Sequence, residues 1–495
     1  LYLIPKPNYI SLGEKRLNLN GKNIDDFITE LIDKDEKNPE GYTIKITEKS
    51  ILITAGEKVG LFRARTTINQ LLFSYRNCLP AALIKDEPRF SHRGFMVDSA
   101  RHMQSIDELK SIIDIAALLK LNIFHWHLAD DQGFRIELLK HPQITKKGSV
   151  RQSSEFNKND ISYEPYGGYY TKAELKEIVN YCKERYIEVV PELDLPGHTT
   201  AILHARPDLS CTGKDIELKV RGGVFPDILC AGNPDTYLVI KDILDEICEI
   251  FPGELIHLGG DEAPKTRWEN CSLCRDMLNK LQLNNMEQLQ GHFVNTFSQY
   301  LKTKGKSVIV WNESIRGDNL LTDASVQYWM DKTDFSVKWA NSGNRLILSP
   351  FTPYYMDYPY GMHSLKSVYR YEPLHLKGLS EKGKESIIGV EAPVWTEHIT
   401  NFSRLTYMCF PRLFALSETA WTSREKKSYK DFEKRAEFFC GILLERGINC
   451  APKKDWNPVS LKRLSETAGF FKDMLSTELV KDFLNRNKED KNEKA

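Results

Sequence analysis

From residue 89 to about residue 400, short apolar runs alternate with amphipathic helical stretches, and this rhythm limits the fold more than any other feature of the chain. The runs fall at 94–97, 122–126, 188–191, 255–258, 307–310, 326–329, 345–348 and 387–390. Clear helical patterns lie between several of them, at 106–119, 172–185, 234–250 and 286–304. A strand that is followed by a helix and then by another strand returns parallel to the first, by a right-handed crossover. Eight such units imply an α/β protein whose sheet closes into a (β/α)8 TIM barrel with its helices outside. The barrel is expected over residues 89–425, closed by a helix at 405–421.

Residues 1–88 read as a small N-terminal α+β domain. Alternation at 42–46 and 51–54 marks strands, and Leu61, Ala64, Ile68 and Leu71 share one face of a helix at 60–74. The segment Lys85-Asp86-Glu87-Pro88 reads as a linker. Residues 426–495 read as a helical, charged C-terminal extension, with a polar and disordered tail at 485–495.

Charge narrows the list of partners. Lys and Arg total 68, and so do Asp and Glu, so the chain lacks the basic surplus that binds nucleic acid or an anionic membrane. No apolar run approaches the ~18–20 residues of a membrane span. The ten cysteines are scattered, which reads as reduced thiols and a cytoplasmic compartment. Cys271 and Cys274 form a lone C-x-x-C; without a second pair at zinc spacing, no metal is expected there.

Active residues of such barrels follow the C-terminal ends of the strands. Here those positions carry Asp98 and Arg101; His127, Asp130 and Asp131; Glu192, Asp194 and His198; Asp261 and Glu262; Trp311 and Glu313; Trp329; Tyr355 and Asp357; Trp395 and Glu397. A barrel that is only structural has no need for tryptophans and carboxylates along one rim. The adjacent pair Asp261-Glu262 follows two glycines. Adjacent residues point in different directions, and proximity splits their proton affinities, which suits general acid chemistry. Taken alone, the pair serves equally well as a cap for the next helix. Arg101 alone reads as an ion-pair partner of Asp98, and His198 alone as a satisfied buried histidine.

Seven segments together resemble glycoside hydrolase family 20. They are 93–102 (RGFMVDSARH), 125–132 (HWHLADDQ), 191–199 (PELDLPGHT), 259–262 (GGDE), Trp311-Asn312-Glu313, Tyr355-Met356-Asp357 and Trp395-Thr396-Glu397. The resemblance spans about residues 1–430. It implies a retaining exo-β-N-acetylhexosaminidase that removes terminal β-linked N-acetylglucosamine or N-acetylgalactosamine from a glycan without a cofactor. The sugar's own acetamido group would serve as nucleophile, an exception among retaining glycosidases. The resemblance makes Glu262 the acid/base, Asp261 the partner of the acetamido N–H, and Tyr355 the donor to the acetamido oxygen. It assigns Arg101, Glu397 and Asp357 to the sugar hydroxyls. Trp311, Trp329 and Trp395 become walls, and Asp130 and His198 a pair behind Glu262. Arg93 stays structural.

Two other readings compete. Within the family, the same residues would serve a disaccharide-releasing enzyme. In another class, His125, His127, His198, His257 and Asp261 would supply ligands to a metal-dependent hydrolase. The tryptophan rim has no role in that second chemistry.

Overall fold

The computed structural model describes residues 1–157, 161–330 and 334–474. Its centre is a closed parallel barrel of eight strands: His92–Asp98, Ile123–His127, Glu188–Glu192, Leu255–His257, Ser307–Trp311, Ser325–Tyr328, Leu346–Leu348 and Ile387–Val394. Each expected apolar run is one of these strands. His92–Asp98 and Ile123–His127 are buried at every residue, because helices cover the outer face while the barrel interior fills with side chains. The register aligns Asp98 with His127, His127 with Glu192, and Glu192 with His257. Four strands therefore end at one level, and the residues that follow them emerge on one rim.

Local chemistry sets the helix starts. Ser105 with Glu108 forms a capping box before Ile106–Leu118, and Thr171 with Glu174 forms another before Lys172–Lys183. Asn233 caps Pro234–Ile250, with proline at the first helical position. The expected single helix at 405–421 is two helices, Phe402–Cys409 and Arg412–Trp421. Pro411 stands between them, and without an N–H it cannot carry one helix through.

The N-terminal domain is a five-stranded sheet covered by the helix Lys58–Tyr75, whose Ala64, Ile68 and Leu71 are buried. It braces the barrel at the rim opposite the strand ends. Lys85 and Asp86, read as linker, end the strand Cys78–Asp86. Asp86 is buried there, paired with Lys120 of the barrel at 2.9 Å and accepting from the Tyr42 hydroxyl at 2.7 Å. Arg93 and Arg63 both reach Glu40, at 2.5 and 2.9 Å, so Arg93 is structural as expected. Stranding either partner of a buried pair of this kind costs about 3–5 kcal/mol.

The C-terminal extension packs as Tyr429–Glu445, Lys453–Trp456 and Ser460–Met474. In the last of these, Phe470 lies 4.9 Å from the Tyr358 ring and 5.2 Å from His398, which brings this helix to the barrel rim. The tail expected at 485–495 lies outside the described residues. Among the described residues, no helix is long and apolar enough to cross a membrane.

Candidate active site

The strand ends surround a pocket lined by Arg101, Asp130, Asp194, His198, Asp261, Glu262, Trp329, Phe351, Tyr355, Asp357, Tyr358, Trp395, Glu397 and His398. Every residue assigned to the site from sequence is here except Trp311. That side chain is fully buried one layer below, donating its indole N–H to Glu192 Oε1 at 2.8 Å and packing 6.1 Å from the Trp395 ring. It supports the pocket wall from beneath. Phe351, Tyr358 and His398 were not assigned from sequence. They come from irregular segments whose path no periodicity reveals.

The pocket base is an ionic lattice around Arg101. This guanidinium reaches Asp130 at 2.7 Å, Asp98 at 3.3 Å and Glu397 at 3.5 Å, and its Nε donates to Gln132 at 2.8 Å. Its Cζ also stands 5.2 Å from the Trp395 ring centroid, a cation–π contact. The fork of donors is thereby fixed before any ligand arrives. Burial alone would raise Asp130, but Arg101 and His198 overcome it and hold the carboxyl well below the usual range. Asp357 is pushed well up by burial and by Glu397, so the pocket resists two neighbouring negative charges.

A chain of alternating acids and imidazoles runs from the barrel floor to the pocket. Glu391 pairs with His125 at 2.7 Å, and Glu192 with the same ring at 3.1 Å. His127 bridges Glu192 and Asp130, the latter at 2.9 Å. Asp130 then accepts from His198 Nδ1 at 3.1 Å, and His198 Nε2 faces Glu262 at 3.7 Å. Burial works against charge on His198, but Asp130 outweighs it and raises this imidazole well above its usual value. His198 thus links Asp130 to Glu262. Of the histidines a metal hydrolase would use, His127 has both ring nitrogens, and His257 one, engaged within the barrel. Both nitrogens of His127 hold carboxylates, and His257 Nδ1 accepts the Gly259 N–H at 3.0 Å.

The turn that delivers the central pair is tight. Gly259, Gly260 and Glu262 all have positive φ, at 63°, 101° and 44°. At Gly259 a Cβ would lie 1.8 Å from Asp194 Oδ1, and at Gly260 2.0 Å from Ser314 Oγ. Glu262 has a Cβ and adopts the left-handed region nonetheless, a strain that persists where surroundings over-determine it. Its N–H donates to Glu313 at 3.2 Å, and its carboxylate keeps 24% exposure towards the pocket. Asp261 points inward instead. Burial pushes its carboxyl up to about 7, with the charges of Glu262 and Glu313 adding and His198 opposing. Its Oδ1 is buried with no hydrogen-bond partner among the described residues. Tyr355 is buried close by, its hydroxyl held as a donor because burial and the Asp261 charge raise it well above its ordinary value. Its ring lies 6.3 Å from Trp329 and 6.2 Å from Trp395.

Comparison with known proteins agrees with this geometry. Residues 90–424 match the glycosyl hydrolase family 20 catalytic domain, and residues 8–87 match domain 2 of the same family. A β-hexosaminidase of Porphyromonas gingivalis is 35% identical over 431 residues, covering 83% of this chain. The match spans only 54% of that relative's length. The crystal structure of a β-N-acetylhexosaminidase superposes with a TM-score of 0.84 at 27% identity, covering 93% of this chain and 99% of the other. The exo-β-N-acetylglucosaminidase of Vibrio harveyi in complex with N-acetylglucosamine gives 0.79 at 26% identity, covering 91% and 78%.

Proposed function

The chain belongs to glycosyl hydrolase family 20, and from that premise and its pocket we propose that it is a retaining exo-β-N-acetylhexosaminidase acting by substrate-assisted catalysis. One observation carries the reading. The buried Asp261 Oδ1, without a hydrogen-bond partner among the described residues, and the buried Tyr355 line one pocket with Trp329 and Trp395, beside the half-buried carboxyl of Glu262. An acceptor and a donor of that kind match the N–H and C=O of an acetamido group, and the indoles match its methyl.

In the first step, the acetamido oxygen attacks the anomeric carbon while Glu262 gives its proton to the departing glycosidic oxygen. The C–O bond breaks and a cyclic oxazolinium ion forms. Asp261 accepts from the acetamido N–H and offsets the positive charge, an interaction stronger in the transition state than in the ground state. Tyr355 orients the attacking oxygen. In the second step, Glu262 takes a proton from water, whose oxygen attacks the anomeric carbon and reopens the ring. Two inversions retain the β configuration. At the closed end, Arg101 donates to the sugar hydroxyls, and Glu397 and Asp357 accept from them. That base supports release of one sugar from the chain end.

The test is a β-linked trimer of N-acetylglucosamine followed by NMR. The reading expects monosaccharide as the first product, released as the β anomer. A disaccharide as first product would favour the disaccharide-releasing alternative, and an α anomer would exclude the two-step route.

A further inference from the structure

Outside the pocket, four cysteines from three stretches of chain meet at one point. Cys211 follows the turn Pro207–Leu209, and Cys230 follows Leu229, which bridges to Ser210. Cys271 is the N-cap of the helix Ser272–Lys280, and Cys274 lies in its first turn. The Cys211–Cys274, Cys230–Cys271 and Cys230–Cys274 sulfurs are 3.7, 3.8 and 3.6 Å apart. All four sulfurs lie within 4.8 Å of one another.

These separations discriminate between explanations. Zinc holds thiolates at about 2.3 Å in a tetrahedron, whose edges are then about 3.8 Å. A disulfide needs about 2.05 Å, and all four thiols are free. Ordinary core packing does not require four sulfurs at one point. The surroundings add a second observation. Gly232, two residues after Cys230, packs directly against the backbone of Leu273 and Cys274. Only glycine fits there: a Cβ at Gly232 would lie 2.1 Å from the Leu273 carbonyl carbon and 2.5 Å from the Cys274 nitrogen. Cys230, Cys271 and Cys274 are buried and Cys211 is half-buried, so the set is shielded from solvent on most sides.

We propose that Cys211, Cys230, Cys271 and Cys274 bind a zinc ion as a closed tetrathiolate site. With four protein ligands and no open position, the ion is structural. It replaces the lone C-x-x-C of the sequence, which lacked visible partners because they lie 41 and 60 residues upstream of Cys271. Its position gives it a task. Cys211 and Cys230 delimit a loop in which the Arg221 carbonyl accepts from Gln132, the residue that holds Arg101, and the Lys219 N–H donates to the Asp131 carbonyl. Leu229 donates to Pro196, next to the segment that carries His198. Cys271 and Cys274 follow the segment that carries Glu262. The ion joins the loop behind His198 and Arg101 to the chain behind the acid/base.

The test is metal content of the full chain, purified under reducing conditions without added chelator. Elemental analysis is expected to find about one zinc per chain, released when an organomercurial consumes the thiols. Cys274→Ser and the milder Cys211→Ser are expected to lower bound zinc at least tenfold, while Cys182→Ser leaves it unchanged. Should the variants fail to fold, cobalt exchanged into the unaltered protein provides the reading, through the intense visible absorption of a tetrahedral thiolate centre. Folded, active, metal-free protein with four titratable thiols would overturn the proposal. So would two disulfides among these cysteines by mass spectrometry, or zinc that survives loss of both Cys211 and Cys274.

Discussion

Replacing Asp261 with asparagine separates what the residue does for catalysis from what it costs the fold. Its carboxyl titrates at about 7 against an ordinary 3.8, so at 1.36 kcal/mol per pH unit the site resists its charge by about 4 kcal/mol. The sign follows from linkage. The folded state holds this proton more tightly than the unfolded state, so the penalty is absent below pH 3.8, grows as pH rises, and is complete above about 7. A positive charge arriving in the transition state at ~4 Å, in an effective dielectric near 20, recovers about 4 kcal/mol. Asp261→Asn is nearly isosteric and loses that interaction, so kcat should fall by about 10³. Affinity for the neutral sugar product should change by no more than about threefold, since the offsetting charge is absent from that complex. The thermal midpoint of the variant should exceed that of the unaltered protein at pH 8, with the gap narrowing as pH falls towards 4. Steady-state kinetics, product titration and melting curves at both pH values read all three. A kcat within about tenfold of normal, or product affinity lost as steeply as kcat, would refute the assigned role.

Other variants address neighbouring parts of the site. Glu262→Gln should lower kcat by roughly 10²–10⁴ while leaving product affinity intact, because only proton transfer is removed; single-turnover kinetics beside calorimetry would show it. Tyr355→Phe should reduce kcat by roughly 10²–10³ through loss of one positioned donor, measured on the same aryl substrate. Gly259→Ala places a Cβ at 1.8 Å from Asp194 Oδ1 and adds roughly 1–2 kcal/mol of left-handed strain, so both melting temperature and activity should fall. Unchanged melting of that variant would mean that the turn is looser than described.

Much of this architecture was legible because its signals are local. Each barrel strand is a short apolar run, and each rim group follows one directly, so position along the chain also gave position in the fold. Asp261 and Glu262 stood out by adjacency after two glycines. Trp311 was legible as a strand-end residue but not as a buried one, because its direction depends on Glu192 across the barrel. Pro411 lay in plain view, yet apolar spacing carried a helical reading across it. Tyr358, His398 and Phe470 come together only through tertiary packing. The cysteine cluster was hidden for the same reason. Cys211 and Cys230 have no spacing that marks them as a pair with Cys271 and Cys274, and only the fold brings them together.

The central claim is that the substrate supplies its own nucleophile, and an aryl β-N-acetylglucosaminide assayed beside the matching aryl β-glucoside tests it most directly. The two differ at the acetamido group that Asp261 and Tyr355 are placed to hold. Cleavage of the acetamido sugar alone is the predicted result. Cleavage of both at comparable rates would mean that the enzyme provides the nucleophile, and would contradict the account.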